Sequence, residues 1–374
     1  MAKDKYETIS KLLSVLFFVY LFLVSIGLMG EAFKGFGKNF AENLIQTTSN
    51  PFIGLFIGIL ATSLVQSSST TTSVVIGIVG SGAMTINNAI PIIMGANIGT
   101  TVTNTLVSLG HIGRREEFKR AITGGTVHDF FNLMCVIIIF PLECLFGVLS
   151  RSATLMTKVF SNVGGITFTS PIKIATKPAI HFIDEIIKKL SLYSNTHYII
   201  ILIISFLFLF LSLYFIVKLM RSVVAKRAEI VLNNVLGKHG VVAIFVSLFF
   251  TAIVQSSSIT IALMIPLVAS GILTVETMFP LIMGANIGTT TTAILASFAT
   301  GNISAITVAF VHFLFNTIGV CFVYPIKTLR KIPTSLARGL GNLAFRKRRY
   351  VIIYVFTLFF IIPGILIAIS KWMK

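Results

Sequence analysis

Three long stretches of this chain contain no charged side chain, and they restrict its possible folds more than any other feature. Residues 12–30, 198–217 and 350–370 each provide about 20 residues free of Asp, Glu, Lys and Arg, the length a helix needs to cross a bilayer. Of the 374 residues, 55% are hydrophobic and only 11% are charged. We therefore predict an all-α polytopic membrane protein rather than a soluble domain.

A polar segment inside this apolar chain occurs twice. Residues 61–103 and 250–292, aligned without a gap, are identical at 23 of 43 positions, and the identities concentrate at polar and glycine positions. The motif Gln-Ser-Ser-Ser stands at Gln66, Ser67, Ser68 and Ser69, and again at Gln255, Ser256, Ser257 and Ser258. A second motif, Gly-Ala-Asn-Ile-Gly-Thr-Thr, follows at 95–101 and at 284–290. A duplicated polar core indicates a solute-binding site built from two halves.

Each Gln-Ser-Ser-Ser cluster lies in the middle of an apolar segment, at residues 51–81 and 241–270. A polar cluster is costly on a straight helix that faces lipid, but it suits the tip of a re-entrant hairpin that protein shields. Two hairpins leave three crossings in each copy, so the second copy is expected to be upside down. The predicted fold is two inverted-topology repeats, each with a re-entrant hairpin, plus one extra C-terminal transmembrane helix.

The distribution of basic residues supports this topology. With a cytoplasmic N-terminus, 20 of the 30 lysine and arginine residues fall in segments predicted to be cytoplasmic, as the positive-inside rule requires. The formal charge of +18 is thus explained by topology, and we expect no nucleic-acid partner. The basic N-terminus resembles a signal peptide but no small-x-small cleavage site follows, so the first span is expected to stay.

The predicted divisions follow from these assignments. They are a first repeat at 9–150 with its hairpin at 51–81, an extracytoplasmic linker at 151–195 with an interfacial helix over 179–190, a second repeat at 196–325 with its hairpin at 241–270, a basic cytoplasmic loop at 326–349 and a final transmembrane helix at 350–374.

The duplicated Gln-Ser-Ser-Ser motif is suited to binding an anion. Serine favours the helix N-cap, its hydroxyl can donate to an anion, and the glutamine amide adds two donors. Inverted repeats with interrupted helices bring half-helix N-termini together, and their N–H groups attract negative charge. No lysine or arginine lies between residues 40 and 113 or between 239 and 326. Co-bound cations would therefore have to balance an anion's charge, which indicates symport.

Neutral oxygen atoms that suit sodium occur in the second motif. Its asparagine and threonine side chains are Asn97, Thr100 and Thr101 in the first copy and Asn286, Thr289 and Thr290 in the second. The glycines of this motif also permit close helix packing, and packing and ligation can coexist.

A third shared motif has the pattern Val-His-x-x-Phe-Asn and carries an unexpected acid. Asp129 is the only carboxylate well inside a predicted span, and Phe313 takes its place in the second copy, so we treat it as a candidate cation ligand. His128 and His312 could relay protons. A histidine four residues before an asparagine more often holds neighbouring helices together, and we favour that role.

The combination of paired Gln-Ser-Ser-Ser, Gly-Ala-Asn-Ile-Gly-Thr-Thr and Val-His-Asp-Phe-Phe-Asn resembles the type II sodium-phosphate cotransporter family, in a bacterial-sized version. The resemblance covers about residues 10–370. It implies secondary active import of inorganic phosphate by alternating access, with sodium as the coupling ion, no organic cofactor and no enzymatic activity. It also implies that both hairpins hold phosphate, that Asp129 binds an additional sodium ion that makes transport electrogenic, and that Asn132 belongs to a sodium site.

The chain departs from the animal members of that family at three places. Residues 145–195 contain no cysteine, whereas the animal relatives carry a disulfide in the corresponding outer loop. Arg114 stands where many relatives have an acid. A further C-terminal span of those relatives has no counterpart, so we expect the C-terminus outside, in a multi-pass protein of the inner (plasma) membrane.

Other function classes explain the sequence less well. A membrane hydrolase would be expected to carry a Gly-x-Ser-x-Gly elbow, which this chain lacks. A channel would conduct without substrate coupling. A symporter of another small oxyanion, arsenate or sulfate, remains the main alternative, because hydroxyl and amide donors do not distinguish these anions. The sequence leaves sodium stoichiometry and oligomeric state open.

Overall fold

The computed structural model describes residues 2–162, 170–190, 194–235 and 240–372. Within these ranges the backbone forms 17 α-helices and no strand. The helices are α1 (Ala2–Gly35), α2 (Gly37–Thr48), α3 (Pro51–Val65), α4 (Ser68–Ser81), α5 (Ile86–Gly99), α6 (Val102–Ser108), α7 (Arg115–Phe146), α8 (Val148–Asn162), α9 (Pro171–Leu190), α10 (Ser194–Val235), α11 (Gly240–Val254), α12 (Ser257–Ala269), α13 (Val275–Thr300), α14 (Ile303–Val323), α15 (Lys327–Arg346), α16 (Arg349–Phe356) and α17 (Ile362–Trp372).

Seven of the described helical segments are long and apolar enough to cross a membrane. This confirms the prediction of an all-α polytopic membrane protein. The segments are Ile9–Gly35, Ile86–His111, Arg115–Phe146, Thr196–Val223, Val275–Thr300, Ile303–Val323 and Arg349–Ser370. The last contains a π-helical turn, Thr357–Ile361, between α16 and α17.

The two Gln-Ser-Ser-Ser segments are broken helices. α3 and α4 meet at residues 66–67, and α11 and α12 meet at residues 255–256. The four helices have 15, 14, 15 and 13 residues. At 1.5 Å per residue each is about 20 Å long, shorter than the roughly 30 Å of hydrocarbon in a bilayer. None of the four is therefore long enough to cross alone.

Threonine pairs show that the chain turns back at each break. The Thr62 hydroxyl donates to the Thr71 hydroxyl over 2.9 Å, whereas nine residues of continuous helix would separate these positions by about 13 Å. The hydroxyls of Thr251 and Thr260 make the equivalent contact, also at 2.9 Å. The two arms of each pair therefore lie side by side where they meet.

Glycine contacts hold each Gly-Ala-Asn helix against the first arm of its own broken pair. A Cβ on Gly95 would lie 2.0 Å from the backbone oxygen of Leu55, and one on Gly284 would lie 2.1 Å from that of Ile244. Backbone atoms cannot move aside as a side chain can, so only glycine fits at these positions. The close packing of α5 on α3 and of α13 on α11 thus fixes the position of both motifs.

Two connecting segments contain more helix than we expected. The linker has α8 and α9, and α9 begins at Pro171, earlier than the expected start at 179; residues 163–169 and 191–193 lie outside the described residues. The segment expected to be a basic loop contains the 20-residue helix α15. Its small buried residues Ala337, Gly341 and Ala344 recur at helical spacing, which allows α15 to pack closely on another helix.

Candidate functional site

The two breaks have the same backbone geometry. Gln66 and Gln255 are the only non-glycine residues with positive φ among those described, at 56° and 58°. Each ends its helix by donating its N–H to the carbonyl oxygen four residues earlier, over 2.6 Å. The next residue, Ser67 or Ser256, is extended, and its hydroxyl accepts the N–H three residues later. The motif therefore ends one helix with glutamine and caps the next with serine, as serine's N-cap preference predicts.

The second arms of the two pairs, α4 and α12, begin next to each other. The Ser69 hydroxyl donates to the backbone oxygen of Gln255 over 3.3 Å. The Thr100 and Ser258 hydroxyl oxygens are 3.5 Å apart. Two helix N-termini, one from each repeat, thus converge, and the first N–H groups of a helix have no intrahelical acceptor. Together with the positive ends of two helix dipoles, they can bind an anion.

The side chains around this convergence differ in accessibility. Ser68, Ser69 and Ser257 are buried, Gln66 is exposed, and the remaining motif side chains are half-buried. The Oε1 atom of Gln255 is buried and has no hydrogen-bond partner among the described residues. Such an orphaned acceptor costs about 1–3 kcal/mol. It suits a cation or the O–H of a protonated oxyanion.

Buried histidines join the two repeats. His128 Nε2 lies 2.6 Å from Oδ1 of Asn286, and His312 Nε2 lies 3.3 Å from Oδ1 of Asn97. Asn132 extends the network, because its Nδ2 donates to the backbone oxygen of Asn97 over 2.6 Å and its Oδ1 accepts from Asn286 Nδ2 over 2.7 Å. Each histidine helix therefore contacts the Gly-Ala-Asn helix of the other repeat. These contacts agree with the structural role we favoured for the histidines.

Asn104, which the sequence analysis did not single out, is a further partner of His128. Its Nδ2 lies 3.0 Å from His128 Nδ1. With Nδ1 accepting from Asn104, a neutral imidazole carries its proton on Nε2 and donates it to Asn286. Both nitrogens of His128 then have partners, so the geometry gives no support to proton relay by this residue.

Asp129 is 1% exposed, and its two carboxylate oxygens have different surroundings. Oδ2 accepts hydrogen bonds from the Tyr354 hydroxyl at 2.9 Å and from the Thr105 hydroxyl at 3.3 Å. Oδ1 has no partner within the part of the chain that the structure describes. The hydrogen bonds of Asp129 involve none of the Gln-Ser-Ser-Ser residues. A buried carboxylate with one open oxygen is stabilised by a cation.

The threonines of the second motif leave oxygen lone pairs available. Thr101 and Thr290 donate their hydroxyl hydrogens within their own helices, to the carbonyl oxygens of Ile98 and Ile287, over 2.8 and 2.7 Å. Thr289 is buried, and its hydroxyl has no hydrogen-bond partner among the described residues. Neutral hydroxyl oxygens of this kind suit a hard cation.

Tyr354 and Thr105 were also missed at the sequence level. Thr105 lies one helical turn after Thr101, a spacing that puts both on one face of a helix. Tyr354 gave no usable signal, because a tyrosine near the end of an apolar run is usual at a membrane interface.

Comparisons with known proteins relate the whole chain to one group. Residues 21–169 and 207–344 match the family described as Na+/Pi-cotransporter. The chain is 33% identical over 455 residues to the proteins named sodium-dependent phosphate transport protein 2B of Pongo abelii and of Homo sapiens, and 33% identical over 436 residues to protein 2A of Ovis aries. These alignments cover 98% or 97% of this chain, which spans 66% of the 2B proteins and 68% of the 2A protein. No solved structure matches the chain.

Proposed function

Because the chain belongs to the Na+/Pi-cotransporter family, we propose that it imports inorganic phosphate by sodium-coupled symport across the plasma membrane. The family is one of transporters rather than enzymes, and the relatives are named for sodium-dependent phosphate transport. In the proposed orientation the two repeats are inverted, and the basic segments 110–120 and 326–349 face the cytoplasm.

The observation that carries this proposal is the convergence of α4 and α12, seen in the contact between Ser69 and Gln255. Two half-helices offer hydroxyl and N–H donors from opposite sides, which suits a tetrahedral oxyanion. The proposed phosphate ligands are Gln66, Ser67, Ser68 and Ser69 with Gln255, Ser256, Ser257 and Ser258.

Sodium coupling follows from the charge of such a site. No lysine or arginine occurs between residues 40 and 113 or between 239 and 326, so helix dipoles alone would face a divalent anion. Cations bound at the same time would lower the cost of burying its charge. The proposed sodium ligands are Asn97, Thr100, Thr101, Asp129, Asn132, Asn286, Thr289 and Thr290. Of these, Asn97 and Asn286 already face histidines through Oδ1, and each would have to share that oxygen with the ion.

Alternating access requires a site between two parts that can move relative to each other. The contacts of His128 with Asn286 and of Ser69 with Gln255 both cross between the repeats. We propose that such contacts rearrange as the site opens to one side and then to the other.

The test is uptake of labelled phosphate into proteoliposomes that contain the full chain. We expect uptake with an inward sodium gradient, none above background in choline, and persistence when a protonophore collapses the proton gradient. Excess unlabelled phosphate should compete strongly, and sulfate weakly. Equal uptake in choline would contradict sodium coupling. Stronger competition by sulfate or arsenate than by phosphate would assign another oxyanion as substrate.

A further inference from the structure

Helix α15 packs across the first turns of α7 with one of its faces. A Cβ on Gly341 would lie 2.2 Å from the Thr123 hydroxyl oxygen and 2.9 Å from the backbone oxygen of Lys119. Ala337 and Ala344, on the same face, are fully buried. Because α7 begins at Arg115 and is long enough to cross the membrane, this contact places α15 near a membrane boundary.

A second face of α15 is apolar and exposed. Ile332, Leu336 and Leu343 are 41%, 49% and 45% exposed. At about 100° per residue these three positions fall on one side of the helix, away from the face that packs on α7. An exposed apolar stripe on a helix at the membrane boundary indicates that this side lies in the acyl-chain region of the bilayer.

The third face of α15 is basic and borders a cavity. Together with the first turns of α13 it lines an open cavity of about 320 Å³. The lining contains four cations, two hydroxyls, one carboxylate and an apolar wall. These residues are Lys327, Arg330, Lys331, Arg338, Thr334, Ser335, Glu276, Phe279 and Pro280.

The carboxylate of this cavity is already paired. Glu276 forms an ion pair with Arg338, so the other three cations dominate the field inside the cavity. Among the described residues none of those three forms an ion pair; Arg330 instead lies over the Tyr324 ring, 5.0 Å from its centroid. The N-terminus of α13, capped by Thr274, adds the positive end of a helix dipole. The cavity is therefore complementary to a phosphorylated anion.

We propose that this cavity binds the phosphate group of an anionic phospholipid. A free phosphate ion would satisfy the cations, but it would make no use of the apolar stripe of α15. A phospholipid matches both features, with its headgroup among the cations and its acyl chains beside Ile332, Leu336 and Leu343. The proposal concerns lipid recognition only and does not depend on the transported substrate.

The test compares lipid binding to the purified full chain in uncharged detergent, measured by native mass spectrometry. The probes are dioctanoyl-phosphatidylglycerol and its zwitterionic counterpart, dioctanoyl-phosphatidylcholine. The test variant is Lys327→Gln/Arg330→Gln/Lys331→Gln, and the matched control is Lys347→Gln/Arg348→Gln/Arg349→Gln. The control removes the same charge from exposed positions that do not line the cavity.

We expect the wild type to prefer phosphatidylglycerol over phosphatidylcholine. The test variant should bind phosphatidylglycerol at least about tenfold more weakly than the wild type, because basic side chains near the headgroup contribute individually. The affinity of the control should stay within about twofold of the wild type. Glu276→Gln should tighten binding, because it frees Arg338 and removes a negative charge. A misfolded protein would not bind more tightly, so this variant guards against loss of structure. The proposal would be overturned if the wild type bound both lipids equally, or if the two triple variants lost affinity equally. It would also be overturned if Glu276→Gln did not bind phosphatidylglycerol more tightly. Displacement of the lipid by an equal concentration of inorganic phosphate would assign the cavity to the free ion instead.

Discussion

The Tyr354 hydroxyl donates a hydrogen bond to Asp129 Oδ2 over 2.9 Å, so the last span of the chain contacts the buried acid of α7. Tyr354 lies in α16, directly before the π-helical turn Thr357–Ile361. The contact orients the carboxylate and leaves Oδ1 without a partner among the described residues. If Oδ1 receives a sodium ion, the last span takes part in forming that site.

Asp129 should set the charge moved per cycle. Three sodium ions with one divalent phosphate would carry one net positive charge inward, whereas two would carry none, and a net charge adds about 2.3 kcal/mol of driving force per 100 mV. We expect Asp129→Gly to keep sodium-dependent uptake but to lose its voltage response. The measurement is uptake into vesicles clamped with potassium and valinomycin. A glycine variant that kept the wild-type voltage response would refute the assignment.

Tyr354→Phe should weaken sodium binding while the voltage response remains. The variant removes one hydrogen bond to the Asp129 carboxylate, and a hydrogen bond to a charged group is worth about 1.5–3 kcal/mol. It keeps the carboxylate itself, which is the proposed sodium ligand. We expect the sodium concentration for half-maximal uptake to rise about tenfold or more. Tyr350→Phe is the control, because Tyr350 lies one helical turn away and no hydrogen bond joins it to Asp129 among the described residues. A matching shift in the control would show that the effect is not specific to Asp129.

Alanine at Ser68 or at Ser257 should each impair phosphate uptake, because in the proposed site both half-helices contribute donors to one phosphate ion. Loss of one donor to a charged oxygen costs about 1.5–3 kcal/mol, which corresponds to a tenfold or larger rise in the phosphate concentration for half-maximal uptake. Ser270→Ala is the matched control, since Ser270 is exposed and its hydroxyl donates only within its own turn, to the Leu267 oxygen. Normal uptake by either site variant would rule out a two-sided site.

Gly95→Ala should prevent α5 from packing on α3. A Cβ there would meet the Leu55 backbone oxygen at 2.0 Å, and overpacking of this kind costs about 1–3 kcal/mol or more. Gly30→Ala is the control within a span, because nothing lies within 4 Å of a Cβ at that position. Fluorescence-detected size exclusion during a heating series should show loss of folded Gly95→Ala protein and no loss for Gly30→Ala. Equal melting of the two variants would contradict the packing argument.

Asp184 should stabilise the docking of α9 on α10 in a pH-dependent way. Its carboxylate accepts from Lys188 at 2.5 Å and pairs with His197 at 2.8 Å. Burial raises the pKa of Asp184, but these hydrogen bonds outweigh burial, so the pKa lies below the ordinary value of aspartate. A carboxyl group whose pKa is lowered by folding stabilises the folded state at pH values above the group's ordinary pKa. That stabilisation is lost as the pH falls through the folded-state pKa.

We therefore expect Asp184→Asn to lower the melting temperature at pH 7 by an amount equivalent to about 1 kcal/mol, since the group is partly exposed. The difference from the wild type should shrink as pH falls from 5 towards 3. Glu185→Gln serves as control, because its pair with His181 is more exposed, at 3.6 Å. A difference between wild type and Asp184→Asn that grew on acidification would contradict the sign of the pKa shift.

The local geometry of the breaks was predictable because the motif determines it. Four polar residues in an apolar segment predict a turn there, and serine's preference for the N-cap predicts where the second arm begins. Ser67 and Ser256 do cap α4 and α12. The glycines of the second motif likewise predicted close packing, and Gly95 and Gly284 provide it.

Contacts between distant residues were not predictable in the same way. Tyr354 and Asp129 are 225 positions apart, and no periodicity connects them. Helix α15 was missed because Pro333 and its many basic residues obscured the recurrence of small residues at Ala337, Gly341 and Ala344. Which histidine contacts which asparagine depends on how the repeats pack together, and the sequence of one repeat does not contain that information.

The left-handed backbone at Gln66 and Gln255 implies that thermal stability conflicts with the proposed role of these two residues in anion binding. Glycine adopts this conformation without strain, whereas a side chain costs about 1–2 kcal/mol. Each glutamine therefore makes the folded state less stable than glycine would at the same position. A laboratory selection for heat resistance alone should therefore favour glycine at both positions, and the selected proteins would lack the two amide groups of the proposed anion site. Selections for improved variants of this protein should score uptake in every round.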